Sequence, residues 1–142
     1  MVAKNFDILI VDDDEDVAQA ATLLLKTHGY SARFETNPER LLHQMEQQPA
    51  RLLLLDMNFK GTVYSGNEGL YWLQQAKKKY PDLIVIMITG YGDVELAVKA
   101  IKTGASDFIL KPWQNDKLLS SIQTAIRLHT AKTAKANLPQ NG

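Results

Sequence analysis

The chain has 142 residues and a formal net charge of zero, so it can form one compact domain with its own core and has no overall basic surface for nucleic acid. It contains no cysteine, which excludes disulfides, thiolate metal sites and a cysteine nucleophile. It also lacks a secretory signal pattern and any apolar run near the ~20 residues of a membrane span, so we expect a soluble, cytoplasmic protein.

Apolar runs typical of strands alternate with helical periodicity from the start of the chain. The first strand is predicted over 6–11, and the acidic residues after it suit the positive end of a helix dipole. Gly29 is expected to cap that helix, and a second strand follows over 30–35. The second helix is predicted to begin with Asn37 as N-cap and Pro38 at its first position.

The same alternation continues in the middle of the chain. The third strand is predicted over 51–56, and the next segment, 58–66, has glycines and no apolar periodicity, which predicts an unusually long loop. A third helix and then a fourth strand over 83–88 follow. The fourth helix is predicted over 93–103. The residues expected on its inward face are Val94, Ala97, Val98 and Ile101.

The last elements are a fifth strand over 107–110 and an amphipathic helix. The apolar residues that define this helix are Leu118, Leu119, Ile122, Ala125, Ile126 and Leu128. The chain then becomes polar, which predicts one domain over 1–131 and a linker or disordered tail over 132–142. Five strand–helix repeats joined by right-handed crossovers make an α/β fold, a doubly wound parallel sheet with helices on both faces.

Polar residues follow four of the predicted strands. Asp56 comes directly after the apolar run 52–55, and Asp12 and Asp13 follow the first strand. The fourth strand runs into Thr89 and the fifth into Lys111. Because parallel strands end at the same edge of a sheet, where open α/β folds place their ligand sites, we expect these side chains to converge.

Carboxylates that converge repel one another unless a cation offsets their charge. Mg²⁺ takes oxygen ligands and keeps several waters. We therefore predict a Mg²⁺ site formed by Asp13 and Asp56, with Asp12 acting through water and the backbone carbonyl near Asn58 completing it. Taken alone, the acids after the first strand are explained as well by an N-cap and an acidic first turn.

A carboxylate beside Mg²⁺ can attack phosphorus and form an acyl phosphate. The hydroxyl of Thr89 and the ammonium of Lys111 could stabilise the product, although each alone is also explained as a turn residue or a surface lysine. The bond from Lys111 to Pro112 can be cis, which would set the direction of the lysine. The sequence has no glycine-rich phosphate loop, which argues against nucleotide binding.

These motifs together resemble the receiver domain of two-component response regulators. The residues that carry the resemblance are 8–13 (ILIVDD), 55–56 (LD), 89–90 (TG) and 108–112 (FILKP). The resemblance implies a flavodoxin-like fold with strand order 2-1-3-4-5. It also implies a phosphoacceptor at Asp56 and a Mg²⁺ site at Asp12, Asp13, Asp56 and the Asn58 carbonyl. Phosphate contacts from Thr89 and Lys111 and a switch aromatic at Phe108 complete the implied site.

Receivers are signalling domains, so the resemblance implies a partner histidine kinase and no enzymatic role beyond self-catalysed phosphotransfer and dephosphorylation. It also suggests a homodimer through the face formed by the fourth helix, fifth strand and fifth helix. Residues 88–101 are similar to receivers of sigma-54-dependent, nitrogen-regulator-type transcription activators. An output domain is not present in this sequence, so we expect an N-terminal fragment, with a free-standing receiver as the alternative. The segment 57–66 departs from the family by its length and its lack of proline.

Two other function classes stay open from the sequence. An acyl-phosphate hydrolase with an aspartate nucleophile would use the same metal, hydroxyl and lysine, and Asp12 and Asp14 have the Asp-x-Asp spacing of such enzymes. Sustained turnover of a small phosphate ester would support it. A receiver-like binding module that is never phosphorylated is the second class, although such modules typically lose one of the acid, hydroxyl and lysine groups.

Overall fold

The computed structural model describes residues 7–57, 59, 67–90 and 94–136. The strands are β1 (Asp7–Val11), β2 (Ser31–Glu35), β3 (Leu52–Asp56), β4 (Ile84–Thr89) and β5 (Asp107–Leu110). The helices are α1 (Glu15–Thr27), α2 (Leu41–Gln47), α3 (Asn67–Lys79), α4 (Val94–Thr103) and α5 (Asn115–Ala136). Over these residues, the strands form one parallel sheet in the order β2-β1-β3-β4-β5, which confirms the predicted fold class and strand order.

The continuous apolar runs of the central strands are explained by helices on both faces of the sheet. Successive side chains of a strand point to opposite faces, so each strand contributes to two cores. One core packs against α1 and α5 and contains Ile8, Ile10, Leu52, Leu54, Ile86 and Ile88. The other packs against α2, α3 and α4 and contains Leu9, Val11, Leu53, Leu55, Val85 and Met87. Each such buried side chain stabilises the fold by roughly 1.5–3 kcal/mol, so the two cores hold the strand ends in place.

The structure contains both of the helix-end residues predicted for the first two helices, Gly29 and Asn37. Gly29 follows α1 with φ 90°, a left-handed conformation that glycine adopts without strain. The side chain of Asn37 accepts a hydrogen bond from the N–H of Glu39, as expected of a cap. However, a 3₁₀ turn over Pro38–Arg40 begins there, and α2 starts at Leu41. Such turns are common at helix N-termini because they satisfy terminal N–H groups with shorter-range bonds.

The prediction for the inward face of α4 is wrong for three of its four residues. Ala97 is buried, together with Ala100, but Val94, Val98 and Ile101 are 63%, 45% and 41% exposed. The helix carries two apolar stripes, and the stripe of small residues faces the sheet because alanine lets the helix backbone approach closely. The branched residues are therefore left on the outer surface.

The last helix also differs from its prediction. Leu118, Ile122 and Ala125 are buried as expected, but Leu128 is 65% exposed because α5 has passed the edge of the core by that point. The helix continues to Ala136, so residues 132–136 of the expected linker are helical. The division into a domain over 1–131 and a linker over 132–142 stays a prediction. The expected strand start at Phe6, helix start at Asp93 and loop residues 60–66 lie outside the described residues.

Candidate functional site

The sheet register brings the predicted site residues to one edge. β1 pairs with β3 so that Val11 lies opposite Leu55. The residues that follow them in the sequence are Asp12 and Asp56. β4 lies on the other side of β3 and ends at Thr89. Thr89 in turn lies opposite Leu110 of β5, which is followed directly by Lys111. The convergence expected from the sequence is therefore a consequence of strand order and register.

Three carboxylates lie close together at this edge. Asp12, Asp13 and Asp56 each place one carboxylate oxygen within 4.8 Å of the others. Asp12 and Asp56 are buried, with 0% and 2% of their surface exposed, and Asp13 is half-buried. Negative charges at this separation repel one another strongly where water is excluded. Positive charge close to these oxygens would therefore stabilise the cluster.

Lys111 supplies part of that charge. Its Nζ lies 2.8 Å from Oδ2 of Asp12 and 3.5 Å from Oδ2 of Asp56. Burial of the ammonium lowers the pKa of Lys111, but its contacts with Asp12 and Asp56 outweigh burial, so this pKa lies above its usual value. The lysine is therefore charged over the physiological range. The peptide bond from Lys111 to Pro112 is cis.

The acidic residues of the turn after β1 have two different roles. Oδ1 of Asp14 accepts hydrogen bonds from the N–H groups of Asp16 and Val17, at 3.1 and 3.3 Å, and caps α1. Oδ1 of Asp12 accepts a hydrogen bond from the N–H of Asp14 at 3.0 Å, which fixes the direction of that carboxylate. The explanation as an N-cap thus accounts for Asp14, whereas Asp12 and Asp13 lie with Asp56. The sequence analysis assigned Asp12 and Asp13, but not Asp14, to the metal site, and it did not name the acid that caps α1.

Thr89 and Phe108 lie on one face of the sheet. Thr89 is 1% exposed at the end of β4, and its carbonyl accepts a hydrogen bond from the N–H of Lys111 at 2.7 Å. Met87 lies opposite Phe108 in the register, and Met87 and Thr89 share a face because they are two residues apart. Phe108 is half-buried against the core on the side of α4. Thr89, Phe108 and α4 therefore lie on the same side of the sheet.

The acidic cluster could hold a metal ion. Its donors are all carboxylate oxygens, which suit a hard divalent cation such as Mg²⁺ better than a soft transition metal. Asn58, whose carbonyl was predicted as a further ligand, lies outside the described residues. Among the helices that the structure describes, none is long and apolar enough to cross a membrane.

Comparison with known proteins points to one family. The model of the response regulator receiver domain matches residues 8–123. A putative NtrX-like response regulator of Rickettsia bellii is 37% identical over 132 residues, which cover 93% of this chain and 27% of that protein. The chain thus spans about a quarter of the length of this relative and of the nitrogen assimilation regulatory protein NtrX of Azorhizobium caulinodans.

Solved structures agree in both fold and sequence. NtrX from Brucella abortus superposes with a TM-score of 0.87 at 33% identity, covering 97% of this chain and 31% of that chain. The N-terminal signal receiver domain of a two-component system response regulator from Bacteroides fragilis gives a TM-score of 0.76 at 43% identity, with 86% and 97% coverage. Fold, site and sequence agree, and the chain belongs to the response regulator receiver domain family of two-component systems.

Proposed function

We propose that this chain is a phosphorylation switch in which Asp56 accepts a phosphoryl group from a sensor histidine kinase. The observation that carries the proposal is the position of Asp56, a buried carboxylate at the end of β3. It lies 3.5 Å from the ammonium of Lys111 and within the cluster formed with Asp12 and Asp13. A carboxylate placed between an ammonium and a cation-binding cluster can approach a phosphoryl group without charge repulsion dominating.

The transfer itself uses few protein groups. A carboxylate oxygen of Asp56 attacks the phosphorus of a phosphohistidine, the P–N bond breaks, and its electron pair stays with the imidazole nitrogen of the kinase. The product is an acyl phosphate on Asp56, which water later hydrolyses to restore the carboxylate. The protein performs no other chemistry in this proposal, so it is a self-catalysing phosphoacceptor and not an enzyme with a separate substrate.

The metal would be Mg²⁺, held by Asp12, Asp13 and Asp56 with the backbone carbonyl of Asn58. When bound, it would neutralise negative charge on the phosphoryl oxygens and on the acids around them. The all-oxygen donor set and the close approach of the three carboxylates support this assignment. Asp12 has no exposed surface, and its carboxylate accepts a hydrogen bond from the N–H of Asp14, so its position within the cluster is fixed.

Lys111 and Thr89 would stabilise the product. Before transfer, the ammonium of Lys111 is shared between Asp12 and Asp56. After transfer, it can contact a phosphoryl oxygen with a modest change of its flexible side chain. The hydroxyl of Thr89 would donate a hydrogen bond to another phosphoryl oxygen. Thr89 would then draw Phe108 inward, because the two side chains share a face of the sheet.

The output of the switch would be the surface formed by α4, β5 and α5. Val94, Val98 and Ile101 form an exposed apolar stripe on α4, and Leu110 of β5 is 36% exposed. Clustered apolar residues on a surface are typical of interaction sites. We infer a homodimer through this face, because inward rotation of Phe108 would repack the strand and helix that carry the stripe.

We infer that the chain is the receiver part of a longer regulator. Residues 1–131 would form the receiver domain, and 132–142 would link it to an output domain that acts on transcription, as the names of the relatives suggest. In this arrangement the receiver itself does not touch nucleic acid and works in the cytoplasm. The sigma-54-dependent activators are the regulator class that the sequence of α4 resembles.

Intact-protein mass spectrometry tests the proposal. Wild-type protein is incubated with Mg²⁺ and acetyl phosphate, beside Asp56→Asn and the control Asp82→Asn, an acid at the opposite end of the sheet. We expect one phosphoryl adduct on wild type and on the control, none on Asp56→Asn, and none after Mg²⁺ is chelated. An adduct on Asp56→Asn of equal stoichiometry would contradict the assignment. Continuous release of inorganic phosphate from a phosphate ester would instead indicate a hydrolase.

A further inference from the structure

The first turn of α3 lies against the backbone that follows Asp56. A Cβ atom added at Gly69 would be 2.5 Å from Cα of Met57, 2.7 Å from the carbonyl oxygen of Met57 and 2.9 Å from the carbonyl oxygen of Asp56. All three are main-chain atoms, so no rotamer change can relieve the overlap. The absence of a side chain at Gly69 is therefore a condition for the observed approach of helix and strand end.

Both elements that meet at Gly69, the end of β3 and the helix α3, are fixed by further contacts. The N–H of Met57 donates a hydrogen bond to the carbonyl of Ile88 at 2.9 Å, and the Met57 side chain is completely buried. On the other side, α3 is anchored by Leu73 and Ala76, which are also completely buried. Neither element has free space into which it can retreat, because protein interiors are close-packed.

We propose that Gly69 is a positioning residue for the phosphoacceptor: its close contact with Met57 and the Asp56 carbonyl fixes the backbone that directs the Asp56 carboxylate. A methyl group at position 69 needs Met57 Cα to move from 2.5 Å to an ordinary contact of 3.4 Å, a displacement of about 0.9 Å. Misplacement of a reacting group by about 1 Å costs on the order of 10²-fold in rate. The Asp56 carboxylate would move relative to Asp13 and Lys111.

The inference rests on the proposed function for its reaction readout, but two readouts are independent of phosphorylation. In metal-free Gly69→Ala, amide NMR shifts are expected to change at Asp13, Asp56 and Lys111 as well as in α3. Mg²⁺ affinity, measured by titration calorimetry, is expected to fall at least tenfold. The initial rate of phosphorylation by acetyl phosphate at saturating Mg²⁺ should fall by on the order of tenfold to a hundredfold.

Gly104→Ala is the matched control. Gly104 has φ +127°, so alanine there strains the backbone, but the nearest atom to an added Cβ is Cε of Lys77 at 3.3 Å, which can move. It lies after α4 and before β5, at the edge of the sheet opposite Asp56. This variant should lose stability and keep Mg²⁺ affinity and phosphorylation rate within twofold of wild type.

Several outcomes would overturn the inference. It is wrong if folded Gly69→Ala shows shift changes confined to α3, or binds Mg²⁺ as wild type does, or if Gly104→Ala is equally impaired. If Gly69→Ala does not fold, Leu73→Ala replaces it, because it removes a buried anchor of α3 and so loosens the contact of Gly69 with the Met57 backbone. Wild-type Mg²⁺ affinity in folded Leu73→Ala would then refute the inference. Failure of wild type to accept phosphate, with the shift pattern as expected, would refute only the proposed function.

Discussion

The ammonium of Lys111 lies 2.8 Å from a carboxylate oxygen of Asp12, and Asp12 has no exposed surface. The same ammonium is 3.5 Å from Asp56, so one positive charge is shared by two buried acids. Asp12, Asp13 and Asp56 lie close enough together to hold a metal ion as well. We therefore expect the stability of the fold to depend on which cations are present.

Removal of the lysine charge should destabilise the metal-free protein. In Lys111→Ala, the carboxylates of Asp12 and Asp56 stay buried without their ammonium, and we expect a loss of about 1–3 kcal/mol in the free energy of unfolding, less than for a fully buried pair because Lys111 is partly exposed. The loss should be smaller in millimolar Mg²⁺, because the ion supplies charge to the same oxygens. Urea denaturation in chelator and in Mg²⁺ measures the difference, with the exposed Lys99→Ala as control. An equal loss in both buffers would contradict this coupling.

Mg²⁺ itself should stabilise the fold, and the effect should depend on Asp13. A ligand that binds only the folded state at 100 times its dissociation constant stabilises it by about 2.7 kcal/mol. We expect a raised melting temperature in wild type and a much reduced shift in Asp13→Asn. Asp16→Asn is the matched control, since Asp16 lies on the same acidic segment but outside the cluster. Thermal melts with and without Mg²⁺ test this, and an equal Mg²⁺ response of the two variants would remove Asp13 from the metal site.

The fold and the convergence of the site could be predicted because both follow from strong local patterns. A run such as Leu52 to Leu55 has no polar face, so it has to be covered on both sides, and polar residues directly after it must lie at the sheet edge. The inward stripe of α4 could not be predicted in the same way. Hydropathy ranks Val98 and Ile101 above Ala97, but the space available beside the sheet favours the smaller residue, and that space is a tertiary property.

The role proposed for Gly69 also could not be predicted from the sequence. A glycine in the first turn of a helix has no distinctive pattern, and its contact with Met57 depends on how α3 packs against the end of β3, which is a tertiary property. The cap of α1 is a similar case. The sequence assigned Asp12 and Asp13 to the metal site, but which acid caps the helix depends on where α1 starts, and in the structure it is Asp14.

Acid stability should depend on Glu35 at the end of β2. Burial raises the pKa of Glu35, but hydrogen bonds from the N–H of Asn37 and from the side chains of Gln44 and Arg40, with the charge of Arg40, outweigh it and lower this pKa below its ordinary value. The stabilisation is therefore fully present above about pH 4.5, where the unfolded chain is ionised, and is lost as pH falls through the lower folded pKa.

Glu35→Gln tests this assignment. The variant keeps the size of the side chain and loses its charge, so we expect it to be less stable than wild type by roughly 1 kcal/mol at pH 7. The difference should shrink below about pH 4. Urea denaturation across pH 3–7 gives both curves, with Glu39→Gln as the control for an exposed acid nearby. A constant difference at all pH values would show that the charge of Glu35 is not the source of its stabilisation.

Dimer formation should depend on the exposed apolar stripe of α4. Val98 and Ile101 are 45% and 41% exposed, so replacing both with charged residues leaves the core untouched and should change the free energy of unfolding by less than about 1 kcal/mol. We expect Val98→Lys with Ile101→Glu to accept phosphate at the wild-type rate and to remain monomeric afterwards. Sedimentation velocity before and after phosphorylation measures this, and Leu23→Glu on α1 is the control, since Leu23 is 65% exposed on the opposite face of the sheet. A phosphorylated double variant that dimerises like wild type would move the interface away from α4, and loss of the dimer in Leu23→Glu alone would move it to α1.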